Sequence, residues 1–337
     1  MVILIRNIFY ILFIVTSFLY AQRFVPQTLS FQLQPLVFSF FGALLSPGNV
    51  NRRIFLFVSV LILLTAANSF VYETPNLGVF VHLATLLFVT RLFKRIQSDL
   101  VLLLPFIVYV VYVLVRIYEL KNPGLVFINS RNYVSLYSLV LVAPYYIRNH
   151  RNVTVMIWPA LLNVLVCVLA LGRSGIITSV ILLMAAIFQR KSPILILLFL
   201  LIGFSIFRLL VNLDTEFDFQ DLERLQSLSD GGRENIYVEI SKLDFYKFFI
   251  GWMPEELPSV AHLGHMHSSW LTMASVVGFV PIIGTFLFVA YKKVFRLRSG
   301  NNLSSFLIIS ALVLRLATDV GLLYSPFDYV MWMIIFL

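Results

Sequence analysis

Charge is what this sequence has least of: of 337 residues only 12% are Asp, Glu, Lys or Arg, about half the share of an ordinary soluble domain. With 60% hydrophobic residues and a mean hydropathy of +0.93, the chain lacks the polar surface that a water-soluble globule needs. One cysteine, Cys167, excludes a disulfide framework and a cysteine-based metal site. A convincing internal repeat is missing as well, which weakens a transporter built from inverted halves. The net charge of +9 does not point to nucleic acid, because most basic residues cluster in short loops between apolar runs.

Those apolar runs are what the sequence does have. A bilayer core takes about 20 helical residues to cross, fewer where flanking side chains snorkel, and lipid admits helices because they satisfy their own backbone. The expected fold is an all-α polytopic membrane protein of about 12 transmembrane helices. The candidate spans are Val2–Tyr20, Leu33–Leu45, Ile54–Val71, Leu77–Thr90, Leu100–Val115, Tyr133–Ile147, Val153–Leu171, Gly175–Gln189, Pro193–Val211, Ser268–Tyr291, Leu303–Thr318 and Phe327–Leu337. The first carries Arg6 but no small-residue cleavage site before Ala21–Gln22–Arg23, so it reads as a retained span rather than a signal peptide.

Alternate connections hold Arg52–Arg53, Arg91 with Lys94 and Arg95, Arg148 with Arg151, Arg190–Lys191, and Lys292–Lys293 with Arg296 and Arg298. The positive-inside rule makes these loops and both termini cytoplasmic. Residues 1–337 are then one integral membrane domain, with a large external loop over 212–266. That loop is acidic, and its external assignment rests on the flanking basic loops. Within it, Asp218–Leu228 is an expected short helix, Asp230–Gly231–Gly232 a turn, and Arg233–Phe249 a second helix with Ile236, Ile240, Leu243 and Tyr246 near a helical period. Pro254 and Pro258 make the approach to the next span irregular, and the whole is expected to form a lid on the outer surface.

Three constellations carry possible chemistry. Arg173, in Leu171–Gly172–Arg173–Ser174–Gly175, lies between two apolar spans; an arginine at membrane depth faces a cavity or partner, or snorkels to phosphates. Its flanking glycines let backbone approach a ligand. Gly231–Gly232–Arg233–Glu234 is a glycine turn leading into a helix, suited to an anion, although a solvated arginine paired with Glu234 or Glu239 reads equally well. The cluster His262–Leu263–Gly264–His265–Met266–His267 offers a general base or a substrate-orienting histidine; its spacing matches no usual zinc signature. Arg131 precedes the sixth span, and Arg315, four residues before Asp319, ends the eleventh. An Arg315–Asp319 ion pair and a cavity-facing Arg315 are both open at this point. Arg131, Arg173, Arg233, His267 and Arg315 all fall on the external side, a set that suits a phosphate-bearing anionic ligand.

Three segments occur in an order that resembles the bacterial O-antigen polymerase (Wzy-type) and O-antigen ligase superfamily. They are Gly172–Arg173–Ser174–Gly175, Gly232–Arg233–Glu234–Asn235–Ile236–Tyr237, and His267–Ser268–Ser269–Trp270–Leu271 followed by Gly278 and Gly284. The resemblance covers about Val153–Tyr291; the N-terminal half matches only in hydropathy and in Ser130–Arg131–Asn132. Ser268 departs from the asparagine common in the family. The resemblance implies a C-type glycosyltransferase-like architecture in the bacterial inner membrane, with a periplasmic loop and active site. It implies a metal-independent polymerase, without cofactor, acting on undecaprenyl-diphosphate-linked oligosaccharide as donor and acceptor. Arg173 and Arg233 would hold the donor diphosphate and His267 would orient or deprotonate the acceptor hydroxyl. Arg131, Arg315, His265 and Trp270 are the expected substrate contacts. Membrane lipids are partners, a chain-length regulator stays open, and nucleic acid is not expected. A ligase acting on lipid A–core is the alternative within the family. A lipid-linked glycan flippase is the alternative of another class, disfavoured because intramembrane charge is sparse and gathers at outer span ends.

Overall fold

The computed structural model of this protein describes residues 1–21, 28–46, 48, 52–73, 77–120, 131–149, 152, 154–170, 173–190, 233–263, 269–280, 283–284, 303–318 and 330. Its helices are α1 (Val2–Ala21), α2 (Leu29–Leu44), α3 (Arg52–Val71), α4 (Leu77–Phe93), α5 (Asp99–Leu120), α6 (Arg131–Arg148), α7 (Trp158–Leu169) and α8 (Arg173–Arg190), then α9 (Arg233–Ser241), α10 (Lys247–Ile250), α11 (Pro258–Leu263), α12 (Ser269–Val277) and α13 (Leu303–Thr318). A 3-10 turn, Pro254–Glu256, joins α10 to α11, and no strand occurs among the described residues.

Three helical stretches are long and apolar enough to cross a membrane: Val2–Ala21, Ile54–Val71 and Asp99–Leu120. Only 28%, 28% and 33% of their apolar windows are buried inside the protein, so most of that surface faces outward. Exposed Leu100, Val108, Val111 and Val115 along α5 show the pattern, which water would penalise and lipid does not. Shorter apolar helices, Leu29–Leu44, Leu77–Phe93, Trp158–Leu169, Ser174–Arg190 and Leu303–Arg315, fill out the bundle. Hydroxyls inside it bond back to carbonyls of the preceding turn, as Thr65 Oγ1 does to Leu61 O at 2.8 Å and Thr85 Oγ1 to Val81 O at 2.7 Å.

Helix α8 packs along α13, α1 along α2, α2 along α4, and α6 against α5, α7 and α8. Polar contacts fix the directions. At one end Arg91 gives Nε and Nη2 to Ser46 O at 2.9 and 2.6 Å, Arg148 Nη1 bonds Lys94 O at 3.1 Å, and Asn149 Nδ2 reaches Asp99 Oδ1 at 2.9 Å. The C-terminal ends of α2, α4 and α6 and the start of α5 therefore meet there. The opposite end gathers the C-terminus of α3 and the starts of α4, α6 and α8. Helices α2, α4 and α6 thus all run toward the end that holds Arg91, Lys94, Arg95 and Arg148.

The structure also corrects three expected boundaries. The seventh helix starts at Trp158 rather than Val153: Pro159 sits in its first turn, and Tyr146 Oη of α6 accepts the orphan amide of Ala160 at 2.9 Å. The expected helix over Arg233–Phe249 splits into α9 and α10 around residues 242–246; Ile236 and Ile240 are buried as expected, while Tyr246 is exposed. The tenth span is not one continuous helix. It stops at Val277, and Gly278 takes φ +82° before helical backbone resumes at Phe279. A Cβ at Gly278 would stand 2.4 Å from the carbonyl carbon of Phe249, so glycine lets the loop backbone press into the break. The expected span over 193–211 and the loop helix over 218–228 lie outside the described residues, as does the expected span over 327–337 apart from Val330, which is buried.

Candidate functional site

Near its C-terminus α13 carries Arg315, which is 0% exposed. Its Nη1 donates to Ser174 Oγ and its Nη2 to Ser135 Oγ at 3.0 Å. A guanidinium keeps its charge at any pH the protein meets, so in an apolar bundle it must be held by hydrogen bonds or an opposite charge. Two serine hydroxyls on two different helices supply part of that hold. Ser174 directly follows Arg173, the first residue of α8, and Ser135 lies one helical turn after Arg131, the first residue of α6. The structure thus brings Arg131, Arg173 and Arg315, which sequence reasoning set on three separate segments, to one end of three packed helices.

Gly175 makes that meeting possible. A Cβ there would lie 2.3 Å from both Cβ and Oγ of Ser135 and 3.7 Å from Cys167 Sγ. The space that the glycine leaves is filled by α6 rather than by a ligand, a small-residue contact of the kind that lets membrane helices approach closely. Deeper along the seam Ser138 Oγ donates to Asn163 Oδ1 at 2.6 Å, so α6 and α7 share a buried polar contact.

Residues 233–263, called the lid below, pack at the same end of the bundle. Asn68, near the end of α3, gives Nδ2 to Ile250 O at 2.9 Å and Ser275 O at 3.2 Å, and Tyr72 Oη donates to Gly251 O at 2.9 Å. Trp252 N bonds Ser275 O at 2.8 Å, and the Trp252 ring stacks on Phe279 with centroids 5.2 Å apart. Gly251, at φ +91°, brings its Cα so near α12 that a Cβ would fall 2.1 Å from Ser275 O. Lys247 Nζ bonds Glu256, whose Oε1 also accepts the Met253 amide at 3.2 Å. Glu239 of α9 accepts the amide and the hydroxyl of Ser259, the latter at 2.7 Å, and so fastens α9 to α11. The Glu256 hydrogen bond holds the Lys247 ammonium above its usual range. Burial, with Glu256 nearby, pushes the Tyr72 phenol up as well.

Arg233 belongs to this lid: it opens α9, which packs on α11. Trp270 lies in the first turn of α12, and α12 packs on both α3 and α13. That helix links the lid to the helix bearing Arg315. His265, His267 and Asp319 lie outside the described residues. No group of three or more His, Cys, Asp or Glu side chains able to hold a metal occurs among the described residues. Sequence reasoning missed Ser135, Asn68 and Tyr72. Ser135 carried a signal, since Arg131, Ser135 and Ser138 recur at helical spacing in an otherwise apolar span.

No family model, curated protein or solved structure matches this chain.

Proposed function

We propose that the protein is a membrane glycosyltransferase of the O-antigen polymerase type, joining undecaprenyl-diphosphate-linked glycan to a lipid-linked repeat unit on the periplasmic side of the inner membrane. The observation that carries this reading is the buried Arg315, bonded to Ser135 of α6 and Ser174 of α8 at the end of the bundle where Arg131 and Arg173 start those two helices. Cations at that place suit a diphosphate whose charge grows as the glycosidic bond to it breaks. Arg131 and Arg173, at the starts of α6 and α8, would bind the diphosphate, helped by the two helix N-termini. Arg315, being fully buried on Ser135 and Ser174, acts through them as a positioning residue and adds positive potential from behind. Arg233 and His267 enter this reading from the resemblance, as the lid's contribution to the donor diphosphate and as the group that orients or deprotonates the acceptor hydroxyl. Twelve spans with cytoplasmic termini complete the topology.

The test is the lipopolysaccharide ladder made by a deletion strain complemented with variants. R173A, R233A and H267A are expected to insert normally and to leave a core bearing one repeat unit. Wild-type ladders from all three would overturn the assignment. Bare core with accumulating lipid-linked polymer would instead identify a ligase. Activity is expected to survive chelators.

A further inference from the structure

The end of the bundle remote from Arg315 holds a second buried arginine. Arg6, in the first turns of α1, is 5% exposed, and its Nε has no hydrogen-bond partner among the described residues. One turn further along α1 the Tyr10 ring lies 6.2 Å from that of Phe93, which sets Arg6 by the end of α4, where Arg148 bonds Lys94 O and Arg95 follows. Arg91 and Arg148 spend hydrogen bonds on the backbone carbonyls of Ser46 and Lys94, which satisfy donors but neutralise no charge. Asp99, the sole carboxylate at this end among the described residues, accepts from Asn149. A basic residue that merely marks a cytoplasmic loop needs only water around it. Arg6 is different, because it is buried at an end of the bundle that carries further like charges, and it cannot shed its proton. A buried cation in that setting is stable when an anion joins it.

We propose that Arg6, Arg95 and Arg148 form a binding site for a phosphate group, with the phosphodiester of an anionic lipid headgroup as occupant. Basic clefts between helices at the cytoplasmic membrane surface have the depth and the sign for such headgroups. The lipid would neutralise the three cations and tie α1 to the α4–α5 connection and to the end of α6. The site is independent of the glycosyltransferase reading, since it lies at the other end of the bundle.

The full chain, purified and delipidated in a neutral detergent, is titrated with phosphatidylglycerol, with zwitterionic phosphatidylethanolamine, and with inorganic phosphate at constant ionic strength. Melting temperature and native mass spectrometry are the readouts. Phosphatidylglycerol is expected to raise Tm by several degrees and to remain bound in the mass spectrum, with apparent affinity falling fivefold or more in R6Q and in R95Q. Arg95 is exposed, so R95Q decides the matter should R6Q fail to fold. A saturable shift from inorganic phosphate alone, lost in R95Q, would support the site and assign it to a soluble anion. Equal shifts from both lipids, or a phosphatidylglycerol shift unchanged in R95Q, would overturn the proposal.

Discussion

Gly175→Ala offers the sharpest test of how the candidate site is held. Alanine is the better helix former by about 1 kcal/mol, so an isolated helix would gain from the change. Here the new methyl would sit 2.3 Å from Ser135 Cβ and Oγ, whereas carbon atoms rest about 3.5–4.0 Å apart, so α6 and α8 must separate by more than about 1 Å. Overpacking of this kind costs about 1–3 kcal/mol. The Arg315–Ser135 bond, 3.0 Å long at present, stretches past any useful length, and losing a hydrogen bond to a charged group costs about another 1.5–3 kcal/mol. The net expectation is a loss of about 2–4 kcal/mol, roughly 5–15 °C in Tm on the scale of large domains. A double-mutant cycle in detergent separates the causes. S135G removes both clashing atoms, so S135G/G175A is expected to be no less stable than G175A alone, giving a coupling of at least about 2 kcal/mol. G175A as stable as the wild type, or strict additivity in the cycle, would refute the close α6–α8 contact.

Three further outcomes follow from the same geometry. R315M, close to arginine in volume but uncharged, is expected to keep the fold, because replacing a buried cation by a packed apolar group is often neutral, and to lower polymer formation at least tenfold; full activity would make Arg315 purely structural. N68A removes the donor to Ile250 O and Ser275 O and is expected to loosen the lid by about 1–3 kcal/mol, seen as faster protease cleavage within residues 242–246. Lys247 and Tyr72 both hold their protons more tightly in the docked lid than free in water, so their contribution is complete below the unfolded values of about 10.4 and 10 and is lost as pH rises beyond them. Protease protection of the lid is therefore expected to stay level from pH 8 to about 10 and to fall above; E256Q weakens protection already at pH 8, and an unchanged E256Q profile would remove Glu256 from the lid's support.

What sequence reasoning reached, and where it stopped, follows the range of the forces involved. Alternating basic loops and apolar runs are local signals, and the meeting of the ends of α2, α4 and α6 around Arg91, Lys94 and Arg148 lies where they put it. Helix ends set by contacts from elsewhere were not legible: α7 begins where Tyr146 of the preceding helix caps it, and the tenth span breaks where Phe249 of the loop meets Gly278. The same limit governs the site. Arg131, Arg173 and Arg315 were recognisable as arginines at span ends, but an i,i+4 pairing with Asp319 is the partner that a single helix offers for Arg315. Its hydroxyl partners stand 141 and 180 residues away, and the lid's anchor, Asn68 to Ser275, spans 207. Pairings that distant leave one trace in a sequence, small or hydroxyl residues at helical spacing in spans where leucine would serve as well. Gly175, Ser135 and Ser275 are such residues, and each lies where another segment must come close. A polar or small residue in a lipid-facing chain thus marks a contact before it marks a reaction, and the chemistry belongs to the charges that those contacts gather.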